Sequence, residues 1–411
     1  MPHFLQDKDI VVAGAGLGGL AFALGLKKQW PAGLPPPRVT VYERDTEAGA
    51  PDRAGTSLSL AGTDETGGLV ALRDLGVLDA ILGHAIAGLD EKGAFKLWDS
   101  NWAELMSIRA KPAAGLPTAG IRIARKNLRQ TLIDAATAAD ITIRWGLPCV
   151  AAAKLPDGRM SVSLADETTV ECDLLVAADG ASSKLRASLL PAHALDYAGV
   201  VWLGGQATFP DGIPQPITLN WGLQLSGQGK ACFYSPVDEH TAVWSVMVPE
   251  THPRDRITKA STDEQRREVL AEARGHGAAL GPLLQTFADA TNLEDVNCLP
   301  ARDRAPFRHD LAGWGNVVFV GDSNHAVSPA AGYGANLAMK DGWDLARLLC
   351  ASGELGEAVK AYDDVSVPRA AGVLRSSRLR MRAALWTGWK WVLFRAFVVF
   401  GGFMLRLKGQ A

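Results

Sequence analysis

The sequence predicts an α/β fold: a discontinuous unit built on a parallel sheet, an inserted, mostly antiparallel sheet, and a helical C-terminal segment. Three observations predict it. An apolar strand runs directly into a glycine-rich turn near the start of the chain, residues 197–248 alternate apolar and polar with the aromatics expected on one face, and two further strand-to-loop segments of distinctive chemistry lie in the middle and last third.

Composition bounds the class. The chain has 411 residues, 47% hydrophobic and 21% charged, enough for one large or two intertwined domains. Its 42 basic and 44 acidic residues are interspersed and the net charge is −2. No footprint for nucleic acid follows, so the expected partner is a small molecule. The five cysteines are far apart without a CxxC pair, which argues against a disulfide framework and against zinc; no metal site is expected. Asp7, Lys8 and Asp9 precede the first apolar run, which is no signal-peptide layout, and a cytoplasmic protein is expected.

The first elements read strand, glycine turn, helix, strand: Asp9 to Ala13, then Gly14 to Leu26, then Arg38 to Tyr42. Gly14-Ala15-Gly16-Leu17-Gly18-Gly19 fits GxGxxG in the position the motif requires. Gly14 permits the tight turn, Gly16 lets backbone approach a pyrophosphate, and Gly19 lets helix and strand pack closely; the helix N-terminus offers its free N–H groups to phosphate. Glu43 ends the second strand, with Arg44 beside it, where a carboxylate can accept both hydroxyls of an adenosine ribose. This is a Rossmann-like dinucleotide site, and by itself it does not choose between NAD and FAD.

Two later segments do. The middle one runs from Cys172 through Leu174-Leu175-Val176-Ala177-Ala178 to Asp179-Gly180-Ala181-Ser182-Ser183, a buried strand ending in Asp-Gly before a Ser-rich turn that caps a helix carrying Arg186. The third runs from Asn316 to Val320, delivers Gly321-Asp322 at the end of a strand, and continues through Pro329-Ala330-Ala331-Gly332-Tyr333-Gly334-Ala335-Asn336 into a helix to Leu349. The small residues of that loop bring backbone amides close to a planar ring, and the helix N-terminus stabilises negative charge developing on a reduced flavin.

With these three segments the chain resembles the single-component (group A) FAD-dependent aromatic hydroxylases, the family of para-hydroxybenzoate hydroxylase, salicylate hydroxylase and the tetracycline-inactivating monooxygenase. The resemblance implies a Rossmann-like FAD-binding domain of the glutathione-reductase type over residues 1–75, 105–190 and 295–375, a substrate domain over 76–104 and 191–294, and a C-terminal helical segment over 376–411. It implies that Asp179 lies beside the pyrophosphate, that Asp322 bonds a ribityl hydroxyl, that Gly332, Gly334 and Asn336 border the ring, and that Arg125 enters the FAD site from a helix start. Arg53 falls where family members reach ring or substrate. Where the tetracycline enzyme has an Asp this chain has Ser59, so that substrate does not carry over. His325 reads as structural.

The implied chemistry is reduction by NAD(P)H, which binds transiently because only one GxGxxG follows a strand, then reaction with O2 to a flavin C4a-hydroperoxide and oxygen transfer to a small aromatic, polyketide-like or alkaloid-like molecule. The cofactor is the oxidant, so no catalytic base is named. Substrate-wall candidates by alternation are Trp202, Gln206, Trp221, Gln224, Phe233 and Trp244, with Pro329 of the loop. Epoxidation and Baeyer-Villiger oxidation remain open on the same scaffold, as does a flavin-binding module without turnover. The apolar stretch Trp386 to Leu407, interrupted by Lys390 and Arg395, reads as a helix packed on the body or on a second copy, or as one lying on a membrane surface.

Overall fold

The computed structural model describes residues 3–47, 57–89, 93–258 and 260–409. Its centre is a five-stranded parallel sheet in the order Val317–Phe319, Leu174–Ala177, Asp9–Ala13, Arg38–Glu43, Thr142–Trp145. Ile10 to Ala13 and Leu174 to Ala177 are buried on both faces, as parallel strands covered on either side must be. Ala13 pairs with Ala177 and Ala177 with Phe319, so the three motif segments leave the sheet side by side at its carboxyl edge. That is where open α/β sheets bind their ligands.

The second large element is a seven-stranded sheet in the order Asn297–Asp303, Asp196–Thr208, Thr241–Pro249, Ala231–Pro236, Trp221–Leu225, Phe95–Asp99, Glu104–Ile108. It is antiparallel except where Trp221–Leu225 runs parallel to Phe95–Asp99. Its aromatics are divided between both faces: Trp98, Tyr234 and Trp244 pack under the helices Asp263–Gly275 and Pro282–Asp289, while Trp202 and Phe233 face the other way. The helical stretch through residues 262–289 is interrupted because Gly281 has φ +80° and Pro282 restarts a helix behind it.

A three-stranded sheet of Ser57–Ala61, Gly120–Ala124 and Ala85–Gly88 connects the two. Leu60, Ile121 and Ile123 enter the core of the parallel-sheet unit. Alternation therefore sends Ser57, Ser59 and Arg122 toward the seven-stranded sheet. Residues 76–104 serve both layers: Ala85–Gly88 belongs to this small sheet, and Phe95–Asp99 to the long one.

The chain closes with helix Leu355–Ala384 and helix Gly388–Leu407. The last helix sits on edge strand Glu104–Ile108 through Val398 and Gly402, where a Cβ at residue 402 would come within 2.9 Å of the Leu105 carbonyl oxygen. Its outer side leaves Trp389, Val392, Leu393, Phe397, Phe400, Phe403 and Leu407 exposed. Among the described residues no helix is long and apolar enough to cross a membrane.

Candidate functional site

The glycine turn is shaped by contacts that exclude side chains. Gly14 has φ +107°, and a Cβ at Gly19 would lie 2.1 Å from the Gly14 carbonyl oxygen. Glu43 is buried, and its Oε2 accepts the Ala15 N–H at 2.7 Å while Oε1 accepts that of Asp45 at 3.0 Å. A carboxylate has about four acceptor sites; these two bonds and a contact from Arg129 leave about one for a further donor. Arg129 was not anticipated as a site residue. It donates to the Ala15 carbonyl at 2.9 Å and pairs with Asp45 at 2.7 Å and Glu43 at 3.3 Å, clamping turn and carboxylate from the helix Arg125–Ala138. Its sequence signal was only helical spacing after Arg125. Arg44 is half-exposed at the rim, 4.0 Å from Asp45. At Gly16 a Cβ would meet no protein atom nearer than 4.0 Å.

Asp179 follows the neighbouring strand. Its Oδ2 accepts the N–H groups of Lys184 at 2.8 Å and Leu185 at 3.2 Å, and its Oδ1 is buried without a partner among the described residues. Burial raises its pKa. Ser183 caps the next helix through the Arg186 N–H at 2.8 Å, as the Ser-rich turn predicts. Arg186 then donates to the carbonyls of Ser323 at 2.7 Å and Asp322 at 3.2 Å, which ties the second motif segment to the third.

Asp322 is part-exposed at the end of its strand, and among the described residues its carboxylate makes no hydrogen bond or ion pair. Burial raises its pKa, and the positive charges of His325 and Arg125 oppose that rise. Behind it Asp341 accepts from His325 Nε2 at 2.6 Å, the Gly321 N–H at 2.9 Å, Ser366 at 2.9 Å and Arg369 at 2.8 Å. Burial works against ionised Asp341, yet His325 and Arg369 outweigh it and hold its pKa well below the usual carboxylate range. His325 is thus the structural member of a buried network that fixes the Gly321-Asp322 turn.

The loop from Pro329 has Gly332 at φ +60°, with open space where a Cβ would stand, and Gly334 opens helix Gly334–Ala351. Asn336 is occupied by protein: Oδ1 accepts the N–H groups of Ala61 at 2.7 Å and Gly68 at 2.9 Å, and Nδ2 donates to the Ser59 carbonyl at 2.9 Å. Its side chain pins the loop to the small sheet, so its part in a ring site is positional.

Register separates the substrate-wall candidates. Trp202, Gln206, Trp221 and Phe233 share the face that looks toward the small sheet and the loop residue Ala330. Gln224 and Trp244 point the other way. There Gln224 bonds the Ser100 carbonyl at 3.2 Å and Tyr234 at 3.3 Å, and Trp244 donates to Thr291 at 2.8 Å. A reading by alternation admits both parities of a strand; only the packing helices decide which one is covered. Arg53 lies outside the described residues. The shared face also exposes what sequence inspection missed, Arg122, an arginine between two isoleucines in an otherwise apolar strand.

A GxGxxG turn, a buried carboxylate and two further aspartates thus stand at adjacent strand ends, the layout of a dinucleotide-binding α/β protein. Residues 7–377 match the family described as FAD binding domain, and the chain belongs to it as an FAD-dependent monooxygenase. It is 41% identical to the monooxygenase cfoF of Aspergillus candidus over 93% of this chain and 92% of that one. It is 27% identical to a 3-amino-4-hydroxybenzoate 2-monooxygenase of Streptomyces platensis, covering 92% and 89%. The fold is that of Klebsiella pneumoniae HpxO, solved with FAD and uric acid, with a TM-score of 0.74 at 22% identity, over 96% of this chain and 93% of that chain.

Proposed function

We propose that the protein uses NAD(P)H and O2 to insert one oxygen atom into a small aromatic, polyketide-like or alkaloid-like molecule held between the small sheet and the seven-stranded sheet. The observation that carries this reading is the side-by-side exit of the three motif segments, with the Asp322 carboxylate unpaired among the described residues and an aromatic wall opposite. Glu43 would hold the adenosine ribose, the Gly14 to Gly19 turn and the helix behind it the pyrophosphate with Asp179 alongside, Asp322 a ribityl hydroxyl, and the Pro329 to Gly334 amides the ring. When bound, FAD accepts hydride and activates oxygen, which leaves the side chains to bind, orient and exclude water. Trp202, Trp221 and Phe233 supply apolar surface for a flat ring. The names of the relatives above, which act on an aminohydroxybenzoate or bind urate, support a small ring as substrate.

The test is oxidation of NADH or NADPH with oxygen uptake across phenols, anthranilates, indoles and polyketide aromatics. Stimulation by one ring class is expected; flavin with no stimulation by any of them would move the assignment to epoxidation, Baeyer-Villiger chemistry or binding alone. Asp322→Ala should weaken FAD about 10- to 100-fold, the equivalent of a charge-assisted hydrogen bond of roughly 1.5–3 kcal/mol. The melting of the apoprotein should stay unchanged because no protein partner is lost, and flavin titration with a parallel melt reads both quantities.

The exposed face of the last helix fits an anionic lipid surface. Arg380 and Arg382 precede that helix, Lys390 lies on it and Lys408 follows it, while its Arg395 and Arg406 pair with Asp99 at 3.5 Å and Glu104 at 2.8 Å; the helix itself carries no acidic residue. Two copies meeting through this face would oppose like charges, whereas each cation near an anionic surface adds about 1 kcal/mol. The protein is expected to sediment with phosphatidylglycerol vesicles and not with phosphatidylcholine ones, and a Phe397→Asp, Phe400→Asp variant to remain in solution. Indifference to both lipids together with concentration-dependent dimerisation would assign the face to a second copy.

A further inference from the structure

Arg122 has 3% of its surface exposed, and among the described residues no carboxylate pairs with it. Its Nη1 donates to Ser59 Oγ at 2.7 Å and its Nη2 to Ser57 Oγ, which in turn meets Ser235 Oγ at 3.0 Å. The guanidinium carbon lies 5.7 Å from the ring centre of Phe233 and 6.0 Å from that of Trp221. Its Nε–H is buried without a partner among the described residues. Arg129 meets Glu43 and Asp45, and Arg369 meets Asp341 and Asp344, whereas buried Arg186 is held by the backbone carbonyls of Asp322 and Ser323. For Arg122 burial acts unopposed and lowers the pKa to about 9.

A cation held by neutral hydroxyls and two ring faces is poorly compensated. Two more polar atoms on the facing sheet are buried and have no partner among the described residues, Trp202 Nε1 and Gln206 Oε1. Gln206 shares a cross-strand row with Ser235 through Val243. A charge and several hydrogen-bonding groups left unmatched on one face indicate that something else completes them.

We propose that Arg122 anchors an anionic group of the substrate, a carboxylate or ionised phenol on an aromatic ring lying beside Trp221 and Phe233. The planar guanidinium suits a carboxylate or phenolate oxygen better than a point charge would, and Ser57 and Ser59 hold it in orientation. This rests on the hydroxylase reading and narrows it to acidic rings; an ionised phenol also enriches the ring carbons that receive oxygen.

The experiment uses the full FAD-loaded chain and Arg122→Met. Without ligand, the variant is expected to melt at or above the wild-type temperature, because a similar volume is kept and an uncompensated charge removed. Flavin absorbance is then titrated with hydroxybenzoates and their carboxamides. The wild type should prefer at least one acid to its amide. The variant should weaken that acid roughly 30-fold or more while leaving the amide and FAD occupancy unchanged, and Arg122→Lys should restore part of the preference.

The proposal is overturned if Arg122→Met melts far lower and sheds FAD, if the wild type binds none of the acids, or if acids and amides bind alike to both proteins. Acid binding through Arg122 with no ring compound stimulating NAD(P)H oxidation would uphold the anion site and defeat the hydroxylase reading. Stimulation regardless of ring charge would do the reverse.

Discussion

Asp341→Ala is expected to destabilise the protein by about 3–5 kcal/mol, the usual consequence of removing one member of a buried ion pair. The carboxylate is fully buried and accepts four hydrogen bonds, from His325, Gly321, Ser366 and Arg369. Arg369 keeps Asp344 at 2.7 Å, but His325 and the Gly321 N–H lose their acceptor. Because Gly321 precedes Asp322, the residue proposed to meet the ribityl chain, loss of flavin should accompany the loss of stability. Chemical denaturation read by circular dichroism measures the first, and flavin retention after desalting the second. An unchanged midpoint would show that this network does not hold the turn.

Gly19→Ala is expected to abolish flavin retention, with a fall in affinity of 100-fold or more set by the rearrangement it forces. The new Cβ would stand 2.1 Å from the Gly14 carbonyl oxygen, 3.1 Å from Val12 Cγ1 and 3.2 Å from Ala178 Cβ. None of these is the far end of a flexible side chain, so helix Leu17–Gln29 must move away from the strand. Overpacking of this kind costs about 1–3 kcal/mol of stability. The larger loss falls on the ligand, whose phosphates need the turn and the helix N-terminus in one geometry. Flavin fluorescence after gel filtration is the readout, and wild-type occupancy would refute the steric argument.

The legible part of this protein lay in short segments whose chemistry is local. Gly14, Gly16, Gly19, Glu43, Asp179 and Asp322 each follow a recognisable strand, because turn geometry and strand ends depend on neighbours in the chain. Those segments sufficed to predict the α/β class, the flavin and the monooxygenase family. The seven-stranded sheet was legible as strands, but its sides were not: Gln224 and Trp244 alternate as well as Trp221 and Phe233, and the helices Asp263–Gly275 and Pro282–Asp289 decide which parity is covered.

The roles of Arg129, Asn336 and Arg122 belong to tertiary structure. Arg129 reaches Ala15 across 114 residues, Asn336 reaches Ser59 across 277, and Arg122 reaches Ser57 across 65. No spacing rule encodes such distances, since they follow from which sheets pack together. The chain alone determined what cofactor it takes, because a dinucleotide is recognised by backbone turns and by carboxylates fixed at strand ends. What faces the aromatic wall was left to the tertiary structure, where burial between two sheets turned an arginine in the small sheet into a charge with no carboxylate partner among the described residues.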